Sequence, residues 1–150
     1  MLICARVHSA EVGGSHMLNG AIEFLLSDDP RAMLLRDSFV FVVVPMLNPD
    51  GVYRGHARMD TQGNDLNRCY HIATLKDQPT IYAMKALFRS LKKRLFLFCD
   101  FHSHPNREGI FVFGTDNKIE HKLFGRVMAM NHEHFYYNQC VFESRKEKTG

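Results

Sequence analysis

Four short apolar runs, separated by segments with helical periodicity, are the feature that most limits what this chain can fold into. We interpret as buried strands the runs Leu2–Val7, Phe39–Val44, Leu95–Asp100 and Ile110–Phe113. They are continuous and rich in β-branched residues, as are strands that are covered on both faces. Strands that alternate with helices predict an α/β fold whose helices cover both faces of the sheet.

Three segments carry apolar side chains at the spacing of an amphipathic helix. The first comprises Met17, Leu18, Ala21, Ile22 and Leu25, the second Ile81, Met84, Leu87, Phe88 and Leu91, and the third Ile119, Leu123, Val127 and Met130. In addition, Asp29 followed by Pro30 is typical of a helix start, with an N-cap and a proline at the first helical position. We therefore expect a further short helix before the run at Phe39.

Composition excludes several classes of protein. The chain has 150 residues, of which 45% are hydrophobic, and this suits one soluble globular domain. Its longest apolar stretch, Phe39–Val44, is too short to cross a bilayer. A net charge of +3 does not indicate nucleic-acid binding, and the basic stretch Lys85–Arg94 is interpreted as the solvated face of a helix. The four cysteines lack a Cys-x-x-Cys pair and are expected to be free thiols, as in a reducing compartment.

Potential metal ligands follow two of the predicted strands. His8 and Glu11 come after the first run, and His102 comes directly after Asp100. Because the carboxyl ends of parallel strands converge on one crevice, these side chains are expected to meet. Two imidazoles and a carboxylate are a ligand set for catalytic zinc that leaves one position open. Asp100 is placed to orient an imidazole, His104 is a rival for the role of His102, and ordinary surface residues are the alternative.

A long connection, from Pro45 to about Pro79, has little periodicity of its own, and such loops are usually functional or disordered. It carries Arg58, Asn67 and Arg68, whose donors suit a substrate carboxylate and a developing oxyanion. Solvated loop residues are the alternative interpretation of these side chains. The segment Asn48–Gly51 is predicted to be a turn and needs no catalytic role.

Together these segments resemble the zinc metallocarboxypeptidases, and within them the cytosolic carboxypeptidases, which remove glutamates from protein C-termini and side-chain branches. The resemblance is carried, in the family's order and spacing, by Arg6–Glu11, Pro45–Val52, Gly55–Arg58, Gly63–Arg68 and Cys99–His104. Ser9 and Ala10 depart from the family, where proline and glycine are usual. The resemblance implies an α/β/α sandwich around a mixed, mostly parallel sheet.

Roles for individual residues also follow from the resemblance. It implies that zinc is the cofactor and that its ligands are His8, Glu11 and His102. It implies further that Asn67 and Arg68 bind the C-terminal carboxylate of the substrate and that Arg58 stabilises the oxyanion.

The resemblance implies partners as well: acidic or polyglutamylated protein C-terminal tails, tubulin among them, with neither nucleic acid nor membrane. The expected location is cytoplasmic and microtubule-associated. Residues 1–150 are expected to be a partial peptidase catalytic domain, without its leading strands and without the late segment that carries the general-base glutamate. We do not assign Glu143 to that role, and the chain alone is therefore expected to have little or no activity.

Three alternatives remain open from the sequence. A zinc N-acyl amino-acid hydrolase would share the ligand pattern and would bind a carboxylate in a similar way. A non-catalytic binder of acidic tails would need no general base. An α/β domain with purely structural histidines would need no metal.

Overall fold

The computed structural model describes residues 1–114 and 119–143, and the chain divides into two compact units, Met1–Ser103 and His104–Gly150. The first unit contains, in chain order, β1 (Leu2–Ala5), α1 (Val12–Leu26), α2 (Pro30–Ser38), β2 (Val42–Val44), α3 (Pro49–Tyr53), α4 (Pro79–Leu91) and β3 (Phe98–Phe101). Short 3-10 helices lie at Leu66–Arg68 and Lys92–Arg94. None of the described helices combines the length and the apolar character that a membrane span requires.

The sheet of the first unit has the strand order β2-β1-β3, and both pairings are parallel. Ile3, in the central strand, lies opposite Val43 on one side and Cys99 on the other. All four residues of β1 are buried, because the strand has a neighbour on each edge and helices on both faces. The first three predicted strands are thus confirmed, although each is shorter than its apolar run.

One face of the sheet is covered by α4. Side chains alternate along a strand, so Leu2 and Cys4 of β1 point to the same face. They are buried there together with Ile81 and Met84, which lie one helical turn apart on α4. This confirms the helix predicted from the second apolar pattern.

The opposite face is covered by α1. Ile3 and Ala5 of β1 are buried with Leu18 of the helix. Near its start, α1 approaches the sheet so closely that a Cβ at Gly14 would lie 2.6 Å from the carbonyl oxygen of Phe101. Because helices cover both faces of a parallel sheet, the predicted α/β/α arrangement is confirmed.

The expected helix before β2 is present as α2. Asp29 is its N-cap, accepting a hydrogen bond from the backbone N–H of Arg31, and Pro30 is its first residue. The proline fits because the first N–H groups of a helix have no partner within the helix. All four cysteines are free thiols, as predicted.

The second unit contains α5 (Ile119–Asn131) and a 3-10 helix at Tyr137–Gln139. The strand predicted at Ile110–Phe113 is wrong. Ile110 and Phe113 each form only one isolated bridge, and they are 38% and 46% exposed. Around this segment the Arg107 guanidinium lies 5.2 Å from the ring centroid of Phe111, an aromatic–cation contact rather than a sheet partner.

The third predicted helix is confirmed as α5, but its apolar pattern does not mark a buried face. Ile119, Leu123, Val127 and Met130 are all exposed in this structure. The buried residue of the helix is Gly125, where an added Cβ would lie 2.9 Å from the ring of Phe142. The aromatic ring therefore packs where α5 has no side chain.

Candidate active site

The segment that follows β1 carries two of the predicted site residues. His8 is 3% exposed and follows the buried Val7, and Glu11 occupies the position directly before α1. The Glu11 side chain makes no capping hydrogen bond to the helix, so its carboxylate is free to face the histidines. The strand and the helix together fix the positions of both side chains.

His102 reaches the same place from β3. Since β1 and β3 are parallel and adjacent, the residues that follow them lie at one edge of the sheet. One ligand atom from each of His8, Glu11 and His102 can be chosen so that all three lie within 4.8 Å of one another. The structure thus brings together the three residues that the sequence singled out.

The Glu11 carboxylate joins the two imidazoles. Its Oε1 lies 2.6 Å from His8 Nδ1, and its Oε2 lies 3.0 Å from His102 Nδ1. Oε2 also accepts a hydrogen bond of 2.9 Å from the backbone N–H of Ser103. Burial opposes ionisation of Glu11, but the hydrogen bonds from His102, His8 and Ser103 outweigh it and hold the pKa of Glu11 well below its usual range.

The other nitrogen of each imidazole faces a second carboxylate. His8 Nε2 lies 3.1 Å from Asp65 Oδ1, and His102 Nε2 lies 2.9 Å from Asp100 Oδ2. The expected contact between Asp100 and an imidazole is therefore present. Burial opposes a charge on His102, but Asp100 and Glu11 outweigh it and raise the pKa of His102 to about 9.

These residues fit a zinc ion. Imidazole nitrogen and carboxylate oxygen are ordinary zinc ligands. In zinc sites the non-ligating nitrogen of a histidine is commonly held by a carboxylate, which fixes the direction of the ligating lone pair. His8 and His102 both have that arrangement, with Nδ1 directed at Glu11 and Nε2 at an aspartate. Three ligands within a span of 4.8 Å leave room in the coordination sphere for a fourth.

Some buried oxygen atoms in the described part of the chain are left without hydrogen-bond partners, one of them on Asp100, the residue that faces His102. The second oxygen of Asp100, Oδ1, and the hydroxyl of Tyr70 are both buried and have no hydrogen-bond partner in the described part of the chain. Burial and then the charge of Asp100 raise the pKa of the Tyr70 hydroxyl. Asp100 is thus held to His102 through Oδ2.

Arg58 lies beside the candidate metal ligands. Its Nε and Nη2 donate hydrogen bonds of 2.9 and 2.7 Å to Asp65 Oδ2. Its Nη1 lies 3.4 Å from His8 Nδ1 and 3.9 Å from Glu11 Oε1. Burial opposes ionisation of Asp65, but the hydrogen bonds from Arg58 and His8 lower its pKa. The guanidinium is thus fixed with one nitrogen directed at the candidate ligands.

Asn67 and Arg68 follow Asp65 in the 3-10 helix Leu66–Arg68. Asp65 caps this helix, because its Oδ1 accepts a hydrogen bond of 3.0 Å from the backbone N–H of Asn67. The Arg68 side chain is exposed and donates one hydrogen bond, of 3.2 Å, to the carbonyl of Asn67. Within the described residues the Asn67 side-chain amide has no hydrogen-bond partner, so both side chains have donors available for a ligand.

The predicted turn at Asn48–Gly51 is instead the beginning of a helix, which is a correction. Asn48 caps α3, its Oδ1 accepting a hydrogen bond of 3.0 Å from the Gly51 N–H. Its Nδ2 donates to the Met59 carbonyl at 3.1 Å and to Ser9 Oγ at 3.3 Å. Asn48 therefore connects the segment that carries Arg58 to the segment that carries His8.

The sequence did not assign roles to Asp65 or to Asn48. Asp100 stands two residues from its imidazole, and that local spacing was the signal for it. Asp65 and His8 are 57 residues apart, so no local pattern could pair them. His104, the rival of His102, belongs to the second unit, where its Nδ1 accepts a hydrogen bond from the Asn106 N–H.

Known proteins are similar to this chain in sequence and in fold. Residues 1–145 match the family model described as zinc carboxypeptidase. Cytosolic carboxypeptidase 2 of Xenopus tropicalis is 39% identical over 160 residues, an alignment that covers 100% of this chain and 16% of that protein. Cytosolic carboxypeptidase 3 of Bos taurus is 35% identical over 160 residues, again covering 100% of this chain and 16% of that protein.

A solved structure agrees with these matches. The metallo-carboxypeptidase from Burkholderia cenocepacia superposes with a TM-score of 0.80 at 25% sequence identity, covering 90% of this chain and 39% of that chain. The chain therefore spans only a part of the length of the proteins that it matches.

Proposed function

The chain belongs to the zinc carboxypeptidase family, and from that premise we propose that it forms part of a catalytic domain that removes C-terminal amino acids from proteins. The observation that supports this most directly is the convergence of His8, Glu11 and His102 within 4.8 Å. The position of Arg58, with a guanidinium nitrogen 3.4 Å from His8 Nδ1, adds a cation at the same place.

In this proposal His8, Glu11 and His102 hold the zinc ion. When bound, zinc acts as a Lewis acid toward a carbonyl and lowers the pKa of a water molecule to about 7. Asp65 and Asp100 accept hydrogen bonds from the remote imidazole nitrogens, which leaves the Nδ1 lone pairs for the ion. Arg58 Nη1 and a metal ion would compete for the same lone pair of His8, so the guanidinium has to release Nδ1 when the ion binds.

The arginines and the asparagine bind the substrate. Asn67 and Arg68 have donors available to a free C-terminal carboxylate, and a guanidinium can bind such a group with two parallel hydrogen bonds. Arg58 stabilises the negative charge that develops on the carbonyl oxygen of the scissile bond. An internal peptide bond has no free carboxylate beside it, so we expect cleavage to be restricted to the chain end.

The substrate that we propose is a polyglutamylated protein tail, such as that of tubulin, acted on in the cytoplasm at microtubules. Two partly or fully exposed arginines at the site and a net charge of +3 favour an acidic substrate. Several of the relatives are named cytosolic carboxypeptidases.

The test is amino-acid release by the protein, assayed at its full natural length. A peptide that ends in several glutamates is compared with the same peptide amidated at its C-terminus. We expect glutamate release from the free acid alone and loss of that release when zinc is chelated. Acetate release from an N-acetyl amino acid, without cleavage of the peptide, would support an N-acyl hydrolase instead.

Arg68→Ala tests the carboxylate-binding role. A lost charge-assisted hydrogen bond of about 1.5–3 kcal/mol corresponds to a KM raised by roughly 10- to 150-fold. Arg54→Ala is the matched control, because Arg54 is an exposed arginine at the end of α3 and is not assigned to the site. Equal effects of the two substitutions, or cleavage of the amidated peptide, would contradict the assignment.

A further inference from the structure

Arg6 combines burial with a backbone conformation that its residue type disfavours. It is 9% exposed, and its φ of +58° lies in the left-handed region, where a Cβ crowds the backbone and glycine is free of that cost. The residue stands between β1 and His8, at the point where the chain leaves the sheet. A glycine would satisfy the backbone at this position, so the arginine side chain needs an explanation of its own.

The Arg6 guanidinium donates hydrogen bonds to the segment that carries His8 and Glu11 and to the first turn of α1. Nε and Nη2 donate hydrogen bonds of 3.1 and 2.6 Å to the carbonyl of Ser9, and Nη1 donates one of 2.9 Å to Ser15 Oγ. Ser9 lies between His8 and Glu11 in the chain, and Ser15 lies one turn into α1 from Glu11. Among the described residues no carboxylate forms an ion pair with Arg6, so these neutral oxygens are its partners.

The same segment is held on its other side by the long connection. The Ala10 N–H donates a hydrogen bond of 3.0 Å to the Ala57 carbonyl. Ser9 Oγ donates to the Met59 carbonyl at 3.3 Å. These contacts fix the side of the segment that faces Arg58 and leave the Ser9 carbonyl to Arg6.

We propose that Arg6 is a positioning residue for the metal-binding group: by fixing the Ser9 carbonyl and the first turn of α1, it keeps His8 and Glu11 convergent. A buried charge without a counter-charge is costly unless it is hydrogen-bonded. An apolar side chain at position 6 could not make the hydrogen bonds that Arg6 donates to the Ser9 carbonyl. The inference rests on the proposed zinc-dependent function, because it concerns the residues that would hold the ion.

The experiment compares Arg6→Gly with Lys92→Gly in the full chain. Lys92 is the other described residue outside glycine with a positive φ (+38°), and it is exposed at the end of α4. Both substitutions relieve the backbone, but only the first removes contacts to the metal-binding segment. Zinc affinity is measured by competition with a chromophoric chelator. The visible absorption spectrum of the cobalt-substituted chain reports ligand geometry, and thermal unfolding of the metal-free chain reports stability.

We expect Arg6→Gly to weaken zinc binding by about 10- to 100-fold, the range for residues that orient metal ligands, and to change the cobalt spectrum. Lys92→Gly should leave both unchanged. Ser15→Ala removes one of the three hydrogen bonds and should weaken zinc binding less than Arg6→Gly does. Arg6→Lys keeps the charge but lacks the planar set of donors, so it should also bind zinc more weakly than the wild type.

The outcomes separate the inference from the function on which it rests. Wild-type zinc affinity and spectrum in Arg6→Gly, with only a lower unfolding temperature, would overturn the positioning role and leave the proposed function intact. If Arg6→Gly does not fold, unchanged zinc affinity in both Arg6→Lys and Ser15→Ala would overturn it equally. Absence of zinc binding by the wild-type chain would overturn the proposed function and this inference together.

Discussion

The candidate metal ligands and the proposed carboxylate-binding residues, Asn67 and Arg68, differ in how many hydrogen bonds fix their side chains. Glu11 and the two histidines are each fixed by at least two hydrogen-bond contacts. Arg68, by contrast, is exposed and makes one hydrogen bond to its neighbour, and the Asn67 amide makes none within the described residues. The candidate metal ligands are therefore held in place by the chain itself, whereas Asn67 and Arg68 keep donors available for a ligand.

The difference follows from where the residues lie. The candidate metal ligands follow two adjacent parallel strands, and Glu11 directly precedes the long helix α1; these elements share a packed core. Asn67 and Arg68 lie on a 3-10 helix of three residues within a long connection. A zinc ion requires its ligands at fixed distances and angles, whereas a peptide end supplies hydrogen-bond partners of its own. Rigid elements therefore suit the first task, and a locally capped turn is enough for the second.

His102→Ala should have the largest effect on zinc affinity, because it removes one of the proposed ligands. Zinc affinity is expected to fall by more than the roughly 100-fold that marks the upper range for loss of an orienting residue. The measurement is zinc stoichiometry and affinity by titration of the metal-free chain. His104→Ala, in the second unit, is the control and should keep one tightly bound zinc. Loss of zinc in His104→Ala but not in His102→Ala would reverse the ligand assignment.

Asp65→Asn and Asp100→Asn test the two parts of the site separately. Asp65 contacts both His8 and Arg58, whereas Asp100 contacts His102 and not Arg58. Each substitution is expected to weaken zinc binding by about 10- to 100-fold. Asp65→Asn should also weaken the binding of a small dicarboxylate, because Arg58 loses its anchor, and Asp100→Asn should not. Both affinities are measurable by titration calorimetry.

Asp60→Asn is the control for this pair. Asp60 lies in the same connection as Asp65, but its carboxylate accepts hydrogen bonds from Gln62 and Asn64 rather than from an imidazole. Equal losses of zinc affinity in Asp60→Asn and Asp65→Asn would show that any disturbance of the connection has the same effect.

Gly14→Ala tests the packing of α1 against β3, the two elements next to Glu11 and His102. A Cβ there would lie 2.6 Å from the Phe101 carbonyl oxygen, so α1 has to move away from the sheet, at a cost of about 1–3 kcal/mol in the free energy of unfolding. Gly20→Ala lies on the same helix with no heavy atom within 4 Å, and it should stabilise by about 0.5–1 kcal/mol. Urea denaturation measures both. A neutral Gly14→Ala would mean that α1 can shift freely against β3.

Local sequence signals predicted most of the elements. The helices α1, α2, α4 and α5 follow from apolar spacing and from the Asp29–Pro30 start, because both signals are contained within a few residues. The segment at Ile110–Phe113 has the apolar content of a strand, but a strand also needs a continuous partner, and there each end finds only one residue. The exposed side of α5 shows the same limit: periodicity identifies a helix without telling which face is covered.

The site was predictable as a set of residues but not as a network. The convergence of His8, Glu11 and His102 was predicted because residues that follow parallel strands meet at one edge of the sheet. The contact between Asp65 and His8 spans 57 residues and depends on how the long connection folds back, which no short motif records. The role of Asn48 was missed because the same four residues that start α3 are equally typical of a turn.

The Asp65 carboxylate contacts two site residues: Oδ1 faces His8, and Oδ2 accepts hydrogen bonds from Arg58. Two binding events that act on one shared group are thermodynamically linked, and the linkage is reciprocal. If a bound metal ion changes the affinity for a substrate carboxylate by some factor, the carboxylate changes the affinity for the metal ion by the same factor. A factor above one would mean that the metal ion binds most tightly while a substrate carboxylate is bound.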